Sequence, residues 1–123
     1  MREVIIIIVV ILLVVAGSVF MQKYLMKTSD ELIGILEEMK QDIGSKENSE
    51  KVNKLLEKWD EINKIWSMII IHEELDNIEV SMLGLKGAIE SEDTQYAKEE
   101  IERTIFLVGH IKEKEAFKLK NIF

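Results

Sequence analysis

The sequence predicts an all-α fold: an N-terminal transmembrane helix, a short helix, then a long antiparallel helical hairpin, the last two packed as a three-helix bundle-like unit. Three observations predict it. Val4 to Val15 are twelve consecutive Val, Ile and Leu residues, and the uncharged run they open continues to Gln22. Beyond it, apolar residues recur at helical rather than alternating spacing. The 123 residues include no Pro, so nothing in the composition interrupts a long helix.

The first element, residues 1–27, reads as an anchor with short flanks. Val4 to Gln22 is 19 uncharged residues. As a helix this run is about 28 Å long, close to the hydrocarbon thickness of a bilayer. Phe20 and Tyr24 fall where an aromatic belt lies, and Lys23 and Lys27 can snorkel to head groups. A cleaved signal peptide competes, since Ala16-Gly17-Ser18 offers small residues for cleavage before Val19. Apolarity continuing past Ser18 to Met21 favours the uncleaved anchor. The run is too long for a buried strand. Arg2 on one side and Lys23 and Lys27 on the other give the positive-inside rule no clear vote. An N-terminal apolar segment with a three-residue flank normally acts as an export signal, which puts the C-terminal domain on the exported face of the cytoplasmic membrane.

The second element, residues 28–49, opens on Thr28-Ser29-Asp30-Glu31, the pattern of a capping box with Thr28 as N-cap. Leu32, Ile33, Ile35, Leu36, Met39 and Ile43 lie on one side of a short helix. Gly44 suits the residue after its end, and Gly44 to Ser49 reads as a linker.

The third element, residues 50–123, is the hairpin. Glu50 to Glu90 reads as one helix, with Val52, Leu55, Trp59, Ile62, Trp66 and Ile69 at heptad spacing. Ser91 to Asp93 is the turn, and Asp93 is the N-cap of a last helix to about Lys120. Ala97, Ile101, Thr104, Ile105, Val108, Ile111, Leu119 and Ile122 form its stripe. Folding at residue 92 pairs positions that sum to about 184, so Ile122 meets Ile62, Glu115 meets Ile69 and Val108 meets Asp76. The tail Asn121-Ile122-Phe123 then docks beside the tryptophans. A straight helix of about 60 Å would carry Glu73 to Lys86 into the bilayer, so the chain must turn away near Thr28–Asp30 or in the Gly44–Ser49 linker.

From Thr28 onward there are 13 Lys or Arg against 22 Asp or Glu, a net of −9. Such a field repels nucleic acid and anionic lipid head groups. The chain has no Cys, which excludes disulfide, zinc-thiolate and cysteine-nucleophile chemistry. No phosphate-binding glycine loop, nucleophile elbow or basic-aromatic patch is present, so no enzyme chemistry is expected.

The candidate residues lie in the hairpin. Trp59 and Trp66, at i and i+7, are core knobs before they are a cofactor slot. The tryptophan stripe runs on into Glu73, Asp76 and Asn77, then Val80, Ser81, Gly84 and Gly87, and Glu115 falls on the stripe of the last helix. Carboxylates at core positions are paired or solvated, or else form a network that fixes register or receives a partner or ion. His72-Glu73-Glu74-Leu75-Asp76 approaches the zinc-protease pattern H-E-x-x-H, with Asp76 in place of the second His. His72, Asp76 and Glu79 share one side and are candidate metal ligands, against the commoner reading of a structural histidine. His110 lies level with His72 but points away from its own stripe, alongside Phe106 and Phe117. No resident metal or cofactor is expected.

The anchor, the tryptophan-bearing helix running into His72-Glu73-Glu74-Leu75-Asp76-Asn77-Ile78-Glu79, and the end reading Gly109-His110-Ile111-Lys112-Glu113-Lys114-Glu115 through Asn121-Ile122-Phe123 resemble domain of unknown function 4363. The resemblance implies a short, single-pass membrane protein of anaerobic spore-forming bacteria, with a helical domain and no established chemistry. It directs attention to Trp59, Trp66, His72, Glu73, Asp76 and His110.

The expected function is a non-enzymatic, membrane-anchored helical module. It holds lipid through residues 4–22 and assembles with another membrane protein or with itself, and nucleic acid is not a partner. A second stripe, Leu75, Ile78, Met82, Leu85 and Ile89, needs the short helix or a partner to cover it. The alternatives are a metal- or ligand-responsive sensor on the His72/Asp76/Glu79 side and a secreted helical protein after signal cleavage.

Overall fold

Thr28 does not start a helix. In the computed structural model, which describes residues 1–122 and all their side chains except those of Leu119 and Ile122, helix α1 runs unbroken from Arg2 to Gln41. The Thr28 hydroxyl donates back to the Tyr24 carbonyl at 2.7 Å, so it bonds within the helix instead of capping one. No Pro or positive-φ residue interrupts the 40 residues, and the helix is about 60 Å long. Its two halves differ in what they touch. The first half is uncovered, and the second buries Leu25, Leu32, Leu36 and Met39 on one stripe.

The chain reverses where the sequence placed its linker, with Gly44 at φ +90° in the left-handed region. Helix α2 then runs Asn48–Trp66 and buries Val52, Leu55, Trp59, Ile62 and Trp66, the expected stripe. The expected single helix from Glu50 to Glu90 is not formed. α2 ends at Trp66, a loop of Ser67 to Ile71 reverses the chain, and α3 runs His72–Glu90. The Ser67 hydroxyl donates to the Lys64 carbonyl at 2.8 Å, closing one of the last carbonyls of α2. Ile71 is extended at ψ 142° and opens α3 without a side-chain cap. The physical reason for the break is phase. Continuing the α2 stripe gives Ile69, Glu73, Asp76 and Val80, whereas the residues α3 buries are Leu75, Ile78, Met82 and Leu85. One straight helix cannot turn both sets to the same core; two helices can.

The second turn follows the expected plan. Helix α4, Thr94–Ile122, starts after Asp93, whose Oδ1 accepts the Tyr96 amide at 3.0 Å as an N-cap. Its stripe of Ala97, Ile101, Thr104, Val108 and Ile111 is buried, and Glu115 continues it.

The four helices form an up-down-up-down bundle in place of a hairpin and short helix. α1 packs on α2 and α4, and α3 packs on α2 and α4. The hairpin register holds near its turn, where Ser81 meets Thr104 and Glu74 meets Lys114. Farther along it fails. α2 has turned back, and α4 lies against α1, with Lys112 paired to Asp30 and Gln22 bonded to Glu115. The expected contact of Glu115 with Ile69 is replaced accordingly, and at the level of Val108 it is Val108 that is buried while Asp76 is turned out to the surface of α3. The expected docking of Ile122 and the Phe123 tail lies outside the described residues. The reversals at Gly44 and Ser67–Ile71, not a bend at Thr28, bring the charged residues of α3 back away from the apolar end.

Candidate functional site

Two buried polar layers and two bundle ends are the places where chemistry or recognition can reside. The lower layer is built on the tryptophans. Trp59 and Trp66 meet edge to face, with ring centroids 5.7 Å apart and planes at 90°. Trp66 Nε1 donates to Thr28 Oγ1 at 3.0 Å, tying the end of α2 to the middle of α1. Both rings are buried, as the core reading expects; Trp59 Nε1 has no acceptor among the described residues. Below this layer Glu115 is buried at the α1–α4 seam. Gln22 Nε2 donates to its Oε2 at 3.3 Å and Lys118 Nζ to its Oε1 at 3.2 Å. Its place on the stripe was legible from spacing; its partner Gln22, 93 positions away, was not.

The upper layer joins α3 to α4 and was missed. Ser81 and Thr104 hydroxyls lie 2.7 Å apart, Thr104 donates to the Glu100 carbonyl at 2.7 Å, and Ser81 donates to Glu100 Oε2 at 3.2 Å. Arg103 Nη1 stands 3.1 Å from Glu100 Oε1 as an ion contact, and that buried oxygen accepts no hydrogen bond among the described residues. Gly84 makes room for the carboxylate, since a Cβ there would lie 2.9 Å from Glu100 Oε2. The small residues Ser81 and Gly84 facing α4 were the sequence signal. Which long side chain fills the space required the fold.

The metal candidates are not brought together. His72, Asp76 and Glu79 are exposed, as is Glu73, because α3 turns Leu75 and Ile78 inward and leaves these positions outside. Among the described residues no three His, Cys, Asp or Glu side chains group as a metal site. His110 is exposed and stacked on Phe106, with centroids 6.2 Å apart and planes at 14°. The second stripe that seemed to need a partner is the core-facing side of α3.

The bundle ends differ in character. At the end distant from the apolar half of α1, a cleft of about 430 Å³ opens between the α1–α2 linker and the α3–α4 turn, floored by Ile43, Ala88 and Ala97. Asn48 at its edge donates to the Asp42 carbonyl at 3.0 Å. The opposite end carries the apolar half of α1. Its most apolar window has a mean hydropathy of 3.4 and is 0% buried, so this helix is long and apolar enough to cross a membrane and nothing in the described residues covers it. On the outer side of α4, Tyr96, Phe106 and Phe117 are exposed, with Phe106, His110 and Phe117 on one face.

The fold and these surfaces define a class: a small up-and-down helical bundle whose first helix projects an uncovered apolar extension. The chain belongs to the family described as Domain of unknown function (DUF4363), whose model matches residues 19–122. No curated protein matches the chain, and no solved structure matches it.

Proposed function

We propose that this chain is a non-enzymatic, single-pass membrane module whose bundle stands outside the bilayer and assembles there with another membrane protein or a second copy. The observation that carries the reading is the division of α1. Residues Val4 to Val15 are uncovered, whereas Leu25, Leu32, Leu36 and Met39 of the same unbroken helix are buried in the bundle. Water does not tolerate so long an apolar helix, and hydrocarbon accepts it because every backbone bond is internal. With no flexible joint between span and bundle, a force or tilt on one is passed to the other. The aromatic outer side of α4 supplies contact area for a partner. The acidic body makes nucleic acid a poor one.

Crosslinking in native membranes tests the assembly. Phe106→Cys, unique in a chain without Cys, should give a discrete dimer or larger adduct under oxidation. Monomer alone, with the same variant membrane-bound, would sink the assembly reading. Intact mass of the membrane fraction tests the anchor: loss of residues 1–18 would make the protein a secreted bundle. Labelling of Ser49→Cys in intact cells by a membrane-impermeant maleimide reads the exported placement expected from the sequence.

A further inference from the structure

The bundle end that faces the apolar extension has a lipid-facing surface of its own. Resting on the reading of α1 as a span, we propose that the α2–α3 loop, together with Phe117 and the lysines around it, sits in the interfacial layer of the bilayer, giving the bundle a second membrane contact.

The geometry begins with a distance. Thr28 lies six residues past Gln22, about 9 Å along the helix axis. Trp66 is bonded to Thr28, and the loop Ser67 to Ile71 follows at once on the side away from the cleft. α4 comes lower still. Glu115 is bonded to Gln22 itself, so Phe117, two residues on, lies level with the end of the apolar run of α1. A bilayer around that run therefore places the loop, and the turn of α4 around Phe117, at head-group depth.

The side chains displayed there fit that depth. Four consecutive apolar residues, Met68 to Ile71, make up the loop after Ser67. Ile70 is buried, Ile69 half-buried, while Met68 is 75% and Ile71 59% exposed. Two large apolar side chains turned out of a short loop are costly in water and favourable at a bilayer interface. Phe20 and Phe117 are exposed at the same end, where amphipathic and aromatic groups form interfacial belts.

Charge separates the same way. From residue 20 to Thr28, from Trp66 to Glu74 and from Lys114 onward, five lysines stand against three glutamates. Two of those glutamates are already engaged, Glu74 with Lys114 and Glu115 with Lys118. The rest of the bundle carries ten Lys or Arg against nineteen Asp or Glu. Anionic head groups thus attract the near end and repel the body. The net charge of the domain, read from sequence, argued against anionic lipid; the fold gathers the opposite charge at the one surface lipid can reach.

A fluorescence experiment on the full chain tests the contact. Met68→Cys, Val10→Cys and Ser49→Cys each carry one nitrobenzoxadiazole label and are reconstituted into phosphatidylcholine–phosphatidylglycerol vesicles. Acyl chains brominated near the head group act as quencher. The expected result is blue-shifted, bromine-quenched emission at positions 68 and 10 and neither effect at 49. Quenching at 10 with position 68 behaving like 49 would overturn the second contact and leave the anchor standing. Absence of quenching at all three would overturn the anchor, and the contact with it.

Discussion

Thr28 does two things at one oxygen: it bonds its own helix at Tyr24 and accepts the Trp66 indole, buried at the level where the bundle meets the apolar run of α1. Replacing it with the isosteric Val leaves helix and packing volume nearly unchanged and strands a buried N–H. Thr28→Val should cost about 1–3 kcal/mol in denaturant unfolding of the detergent-solubilised protein. In a Trp66→Phe background the same change should cost much less, because no donor remains to be stranded. Equal costs in both backgrounds would show that the hydrogen bond contributes nothing. Glu100 is the opposite case, a buried carboxylate held on Oε2 by Ser81, with Oε1 met by the Arg103 charge but by no hydrogen-bond donor among the described residues. Spacing showed that Glu115 would face inward. It did not show Glu100, because that residue sits beside the stripe position Ile101 and is drawn in only by the space at Gly84.

At the scale of the elements, the α3–α4 turn is a compact joint built at a conformational cost. Asp93 N–H donates to Ala88 O at 2.9 Å and Glu92 N–H to Ile89 O at 3.1 Å, the paired bonds of a Schellman ending. That ending needs a left-handed residue, and Glu92 supplies it at φ 58°. Glu92→Gly should stabilise the protein by roughly 0.5–1 kcal/mol, the relief of left-handed strain exceeding the entropy of a freer unfolded chain. It also removes a negative charge from the end of α3, where the helix dipole disfavours one. A lower melting temperature would contradict this account. The turn, the Asp93 cap and the Gly44 linker were all legible, since each depends on local chemistry. The break at Ser67–Ile71 has no Gly, Pro or cap to mark it. Its only trace was a jump between two apolar stripes, and read on a single helix that jump passed for a second face awaiting a partner.

For the whole molecule, the controlling feature is that one helix has two unlike halves, an uncovered apolar one and one buried in the bundle. An alkaline carbonate wash should leave the protein with sedimented membranes. Val10→Arg combined with Leu13→Arg should release it, since each charge costs roughly 3 kcal/mol near the centre of a span. Retention of the double variant would mean that the near end of the bundle, not α1, holds the protein to lipid. Four antiparallel neighbours joined by short connections also place most contacts between helices adjacent in the chain, so the bundle does not depend on distant pairings except at the α1–α4 seam.

Periodicity and run length settled helix content, the uncovered apolar run, the stripes of α2 and α4, and the burial of Trp59, Trp66 and Glu115. These are properties of a chain read a few residues at a time. The tertiary structure alone decided that Thr28 lies inside a helix, that Glu50 to Glu90 is two helices, and that α4 packs on α1 as well as on α3. It alone decided that His72, Asp76 and Glu79 are exposed and that lysine and apolar groups collect at the end nearest the apolar half of α1. The reason is that a stripe tells a helix which side to bury but not which neighbour will cover it. Four short stripes of similar width admit several pairings, and only closing the core around all of them selects one.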